Sequence, residues 1–185
     1  MDQDRLRALA DSQLDHVLIA LRAGDHGYNI RDVLDPWWCY ERGAPSVSTK
    51  YRAIQLNAPC PWKKRKQLVE ADATSEGAQA VLAMGEAARK PGKPEKHEYP
   101  LVVDHSVPLG VIGTRLWRTP DAWTRDTLRT FLRSCFRRAL LTCAENKRLN
   151  EMGLNSKMPT GWEFGQNPFE RYDVADIGYT LRADV

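Results

Sequence analysis

No run of apolar residues in this 185-residue chain approaches the roughly 18 needed to cross a bilayer, which argues against a membrane span. The first residues, Met1-Asp2-Gln3-Asp4-Arg5, are acidic at once and carry no signal-peptide pattern, so a cytoplasmic protein is expected. Cysteine is scarce: Cys39, Cys60, Cys135 and Cys143 include no Cys-x-x-Cys pair. That removes the spacing on which zinc knuckles and ribbons rest, and a disulfide framework is not expected at this length and in this compartment. Most of the thiols are expected as small core residues. There is also no glycine loop of the kind that cradles phosphates, and no internal repeat.

What is present is the ordinary material of a globular protein, 42% hydrophobic and 28% charged. The length suits one domain with a sizeable core, or one domain plus a helical appendage. The net charge of +3 conceals segregation. Residues 37–69 carry seven Lys/Arg against one Asp/Glu, and residues 99–150 carry nine against four, while residues 70–88 carry no cation against four acids. Two cationic blocks are the electrostatic footprint of a polyanion binder, so nucleic acid is the expected partner and DNA the favoured form.

The pattern predicts an α+β fold, mostly helical with a small β element. Residues 3–22 read as an amphipathic helix capped by Asp2 and closed at Gly24. Trp37 and Trp38 are expected as core rather than as base-stacking platforms. Residues 46–54 could form a strand, and Lys63-Lys64-Arg65-Lys66 beside Trp62 fits backbone neutralisation as well as it fits a solvated helix start. A helix is expected over 75–89. Pro91 to Glu98 reads as a linker between a helical region 1–90 and an α+β region 99–185. Thr119-Pro120-Asp121 predicts a helix from 120 to 138. On one face of it Arg125, Arg129, Arg133 and Arg137 recur every four residues, a ridge about 18 Å long. No acid at i+4 neutralises that ridge, so phosphate binding competes with a solvated face whose acids come from another element. Thr142-Cys143-Ala144-Glu145 matches a capping box and opens a helix over 143–152, with Asn146, Lys147 and Arg148 early in it.

The chain is organised around Tyr99-Pro100-Leu101-Val102-Val103-Asp104-His105-Ser106-Val107-Pro108-Leu109. Leu101 to Val103 read as a buried strand bounded by prolines, and Asp104 and His105 stand where the chain leaves it. An imidazole there can take a proton from water, and the carboxylate can hold a divalent cation. A hydrogen-bonded structural turn is the competing explanation.

Asp104-His105-Ser106-Val107-Pro108-Leu109, then a short Leu140-Leu141 strand and a helix with Asn146 on its first turn, resembles the HNH, or ββα-metal, nucleases over about residues 99–153. In place of that family's short glycine-bearing loop, this chain has an arginine-rich helix. The resemblance implies a DNA endonuclease dependent on Mg²⁺ or Mn²⁺. His105 would be the general base, Asp104 and Asn146 would hold the metal, and the cations of 63–66, 125–137 and 147–148 would hold the strand. A non-catalytic nucleic-acid-binding or regulatory module is the alternative.

Overall fold

A computed structural model of the chain describes residues 2–26, 29–43, 71–84 and 101–183. Helix α1 (Gln3–Ala23) begins where the Asp2 side chain accepts from the Asp4 N–H, and it ends at Gly24. That glycine has φ +67°, and its N–H reaches the carbonyls of Ala20 and Leu21. Leu6, Ala10, Leu14, Val17 and Leu21 line the buried face of α1 at helical spacing. Helix α2 (Arg31–Glu41) packs against α1 and carries Trp37 and Trp38 into the interior, 2% and 1% exposed. Both tryptophans are core.

Four strands form one mixed sheet: β1 (Ala73–Ser75), β2 (Leu101–His105), β3 (Arg138–Thr142) and β4 (Tyr179–Leu181), in the order β2-β3-β1-β4. β2 and β3 pair antiparallel along their whole length, from Leu101 opposite Thr142 to His105 opposite Arg138. β1 is parallel to β3 and antiparallel to β4. Helix α3 (Glu76–Met84) follows β1. Between β2 and β3 lie α4 (Leu109–Arg118), a 3₁₀ turn (Pro120–Ala122) and α5 (Arg125–Cys135). Helix α6 (Cys143–Glu151) leaves β3 directly, and the short α7 (Glu170–Val174) precedes β4. The α+β class is as expected. Among the described residues no helix is long and apolar enough to cross a membrane.

Two local readings need correction. The helix expected over 120–138 is shorter at both ends. Pro120 starts only the 3₁₀ turn, and the true N-cap is Thr124, whose side chain accepts from the Thr127 N–H while Thr127 returns a bond to Thr124. At the other end Phe136 leaves helical geometry and Arg138 is already in β3. The second reading concerns the division at 91–98. That segment and the strand expected at 46–54 lie outside the described residues, but the regions on either side share one body. β1 sits between β3 and β4, and α1 and α2 build a common core with α4 and α5 through Leu14, Leu34, Trp37, Ile112, Leu128 and Phe136. A second cluster joins Ala139 and Leu141 of the sheet to Leu149, Phe169, Tyr172 and Ile177. Cys39 and Cys135 are buried and Cys143 is exposed. Burial pushes the Cys135 thiol up to about 12, which leaves it inert as a nucleophile.

Asp72 ties the N-terminal helices to the sheet. It is fully buried and accepts from Trp38 Nε1 at 2.9 Å and from the Arg138 backbone N–H at 2.8 Å. Arg42 bonds to it, and Arg137 lies 3.6 Å away. The guanidinium groups of Arg42 and Arg138 also lie over the Trp38 ring, at 4.7 and 4.8 Å. Removing this one anion leaves the Trp38 Nε1–H and the Arg138 N–H without their buried acceptor and takes from Arg42 and Arg137 the carboxylate they share. Asp72→Ala is therefore expected to cost about 3–5 kcal/mol in urea unfolding; a loss under about 1 kcal/mol would show that these charges do not depend on it.

Candidate active site

Successive residues of a strand face opposite sides of a sheet. At the end of β2 this separates the two residues of the Asp-His pair. Asp104 faces the C-terminal segment: its Oδ2 accepts from the Tyr172 hydroxyl at 2.7 Å and from Arg171 Nη2. Arg171 is 1% exposed and also donates to the carbonyls of Ser106 at 2.8 Å and Leu154 at 2.6 Å, so it fixes the chain as it leaves the strand. Burial, with Asp104 next, holds the Tyr172 phenol well above its ordinary range, so it stays a donor.

His105 faces the other way, toward the helical core. Its Nε2 lies 2.9 Å from Asp35 Oδ1 on α2, and its ring packs 5.2 Å from that of Phe136. Both side chains are largely covered, 13% and 11% exposed, and Arg138 stands 3.5 Å from the same Asp35 oxygen. Burial raises the Asp35 carboxyl, but the hydrogen bond from His105 and the positive charge of Arg138 outweigh it and hold the group below its ordinary value of 3.8. Asp35 is therefore an anion at neutral pH. A carboxylate on Nε2 requires the proton there, which leaves Nδ1 with a lone pair. Nδ1 has no hydrogen-bond partner among the described residues. This is the chemistry of an oriented general base.

Asp35 was not singled out by the sequence reading. The available signal was a lone carboxylate inside Val33-Leu34-Asp35-Pro36-Trp37-Trp38-Cys39, an otherwise buried run. A charge in such a place must find a partner. Which partner depends on a contact 70 residues away.

The Thr142–Glu145 capping box is present as read. Glu145 Oε2 accepts from the Thr142 N–H at 2.7 Å and from Ser75 Oγ at 2.6 Å, and the Glu145 N–H returns to Thr142 Oγ1 at 3.1 Å. Because α6 starts at the last residue of β3 yet packs on both β2 and β3, the chain reverses at Thr142. Leu149 of α6 lies in the same apolar cluster as Tyr172, so α6 and Asp104 share one side of the sheet. Thr142 is opposite Leu101. Asn146 lies about 6 Å along the helix from that level and Asp104 about 10 Å along the strand. The two oxygen donors thus belong to one side of the sheet, and the His105 ring to the other, against Asp35 and Phe136.

For a hard cation, the donor set is one carboxylate oxygen, Asp104 Oδ1, and the Asn146 amide; neither makes a hydrogen bond to a described residue. No group of three or more His, Cys, Asp and Glu side chains suited to a metal occurs among the described residues. Oxygen donors of this type suit a hard cation such as Mg²⁺ or Mn²⁺ better than zinc, and Asp104 already has the buried Arg171 guanidinium as its counter-ion.

The arginine ridge requires a correction. Arg125 makes a bidentate pair with Asp15 at 2.6 and 2.8 Å. Arg129 bonds to Asp11 and, at 3.1 Å, to Glu41, and Arg133 reaches Glu41 at 2.6 Å. These three cations face acids of α1 and α2. Arg137 lies beyond α5, beside Asp72. In α6, Lys147 pairs with Glu151 at 3.4 Å, and Arg148 donates to the carbonyls of Ala175 and Asp176 at 3.1 and 3.0 Å, which docks the C-terminal segment. Lys63, Lys64, Arg65 and Lys66 lie outside the described residues.

No family model, curated protein or solved structure matches this chain.

Two outcomes follow. Arg129→Ala leaves Glu41, only 9% exposed, with one of its two cations, and is expected to cost about 2–4 kcal/mol in chemical unfolding. No change would mean that the ridge is not an internal tie. Asp35 titrates below its ordinary 3.8 when folded, so its stabilisation is complete above that value and is lost as pH falls below it. The stability gap between wild type and Asp35→Asn is expected to stay constant from about pH 7 to 5 and to narrow below about pH 4. A gap unchanged at the acid end would contradict the depressed carboxyl.

Proposed function

We propose that this protein is a divalent-metal-dependent endonuclease that hydrolyses phosphodiester bonds of DNA, with His105 as its general base. The observation that carries this reading is the Nε2–Asp35 contact at 2.9 Å, which leaves Nδ1 as the acceptor of the proton. Nδ1 takes a proton from water as the water oxygen attacks phosphorus and the P–O bond to the leaving sugar oxygen breaks; that oxygen takes a proton from solvent, and Asp35 stabilises the imidazolium that forms. Asp35 here is a positioning residue. A divalent ion held by Asp104 and Asn146 would supply the positive charge that balances charge building on the phosphate. Arg171 and Tyr172 keep Asp104 in one orientation. The β2–β3 antiparallel pair followed by α6 supplies the strand-strand-helix order that the resemblance requires.

The second reading is a non-catalytic nucleic-acid-binding module. What favours it is that Arg171 and Tyr172 already account for Asp104 as a structural group.

The two separate on a supercoiled plasmid with Mg²⁺ or Mn²⁺. Wild type is expected to nick it; His105→Ala should retain binding and lose about 10²–10⁴-fold in rate. Asp35→Asn should lose about 10–100-fold with KM little changed. Salt-sensitive binding by a wild type that cleaves nothing with either ion would support the module instead.

A further inference from the structure

Beside the Asp35–His105 pair lies a cavity of 830 Å³ between the start of α2 and the outer face of α4. Neither Asp35 nor His105 lines it, but it shares helix α2 with Asp35. Arg31, on its wall, stands one helical turn before Asp35, and its charge acts on that carboxylate. Leu109, also on the wall, follows His105 by four residues.

The walls have a particular chemistry. Trp117 and His26 form an aromatic pair with ring centroids 4.7 Å apart. Arg31 and Arg118 supply two cations, and neither makes a hydrogen bond or ion pair with a described residue. The α5 arginines, by contrast, all face acids. The acid on the wall, Asp32, is held by Asn29 at 2.9 Å. The floor is α4 backbone at Gly110, where an added Cβ would meet nothing within 4 Å. A larger side chain at Gly110 would therefore extend into open space without meeting packed atoms.

We infer that this groove holds one unpaired nucleotide of a nucleic-acid strand, its base against the Trp117–His26 pair and its phosphate between Arg31 and Arg118. The volume suits one ligand of nucleotide size. Aromatic faces take any base once it is unstacked, and the two cations complement the strand's charge. A duplex presents no free base face, so a single strand is the favoured form. The inference deepens the nuclease reading, on which it rests for the identity of the polymer.

The test measures anisotropy of a short fluorescein-labelled oligothymidylate in EDTA, where binding is read without cleavage. Wild type is expected to bind it more tightly than a duplex of equal length. Trp117→Ala should weaken binding about 10-fold, and Arg118→Ala should lower the salt slope by about 0.7. Gly110→Leu fills the groove without touching an ion pair, so it should weaken binding while melting no lower than wild type. It therefore stands even where Trp117→Ala misfolds. Weakened binding by these variants in a protein that cleaves nothing would uphold the groove and remove the nuclease reading. His105-dependent cleavage with unchanged binding by Gly110→Leu and Arg118→Ala would overturn the groove and leave that reading in place. Wild type that fails to bind the oligonucleotide, or prefers the duplex, also overturns it.

Discussion

A strand alternates its side chains, and at the end of β2 this alternation sends two adjacent ionisable residues into two different environments. Asp104 is bound by Arg171 and Tyr172 on the side of the C-terminal segment, while His105 is bound by Asp35 on the side of the helical core. One short strand thus couples both apolar clusters. The antiparallel partner β3 holds that end in register, with Arg138 opposite His105 and its guanidinium beside Asp35. Little freedom remains for the imidazole. An orientation set by packing and by a buried anion is what a general base needs, because reorganisation during reaction is the cost such a site avoids.

The charge pattern takes on a different meaning once the contacts are known. A segregated, mildly basic sequence invites the inference that its arginines face a polyanion. Several instead hold the fold together: Arg125, Arg129 and Arg133 join α5 to α1 and α2, Arg42 and Arg137 surround Asp72, and Arg171 fastens the C-terminal segment to β2. The pairs at Asp72 and Arg171, which are buried on one side, are costly to break, whereas those of Arg125 and Arg133 are about half exposed and contribute less. Among the described residues, Arg31 and Arg118 are two cations that lie together beside a groove.

What could be read from the sequence divides by distance along the chain. The Asp2 and Gly24 ends of α1 and the Thr142–Glu145 box each depend on residues within a few positions and appear as read, while the strand read as a buried Leu101–Val103 runs on through Asp104 and His105 and buries only Leu101. The start of α5 is a local signal that was misassigned, because Thr119-Pro120 and Thr124-x-x-Thr127 both offer a beginning and only the second has a reciprocal bond. The contacts that define the candidate site are of another kind. Asp35 and His105 are 70 residues apart, and Arg129 and Asp11 are 118 apart. Periodicity along α5 shows that its arginines share a face; it carries no information about the helix that face meets.

The tautomer of His105 is the most direct measurement of whether this geometry makes a base. Imidazole ¹⁵N shifts, assigned with the help of the His105→Ala protein, distinguish the two ring nitrogens at neutral pH. The expected spectrum shows a protonated Nε2 and a bare Nδ1, with that preference lost in Asp35→Asn. A proton on Nδ1, or a tautomer mixture that ignores the Asp35 substitution, would contradict the arrangement from which the function is argued.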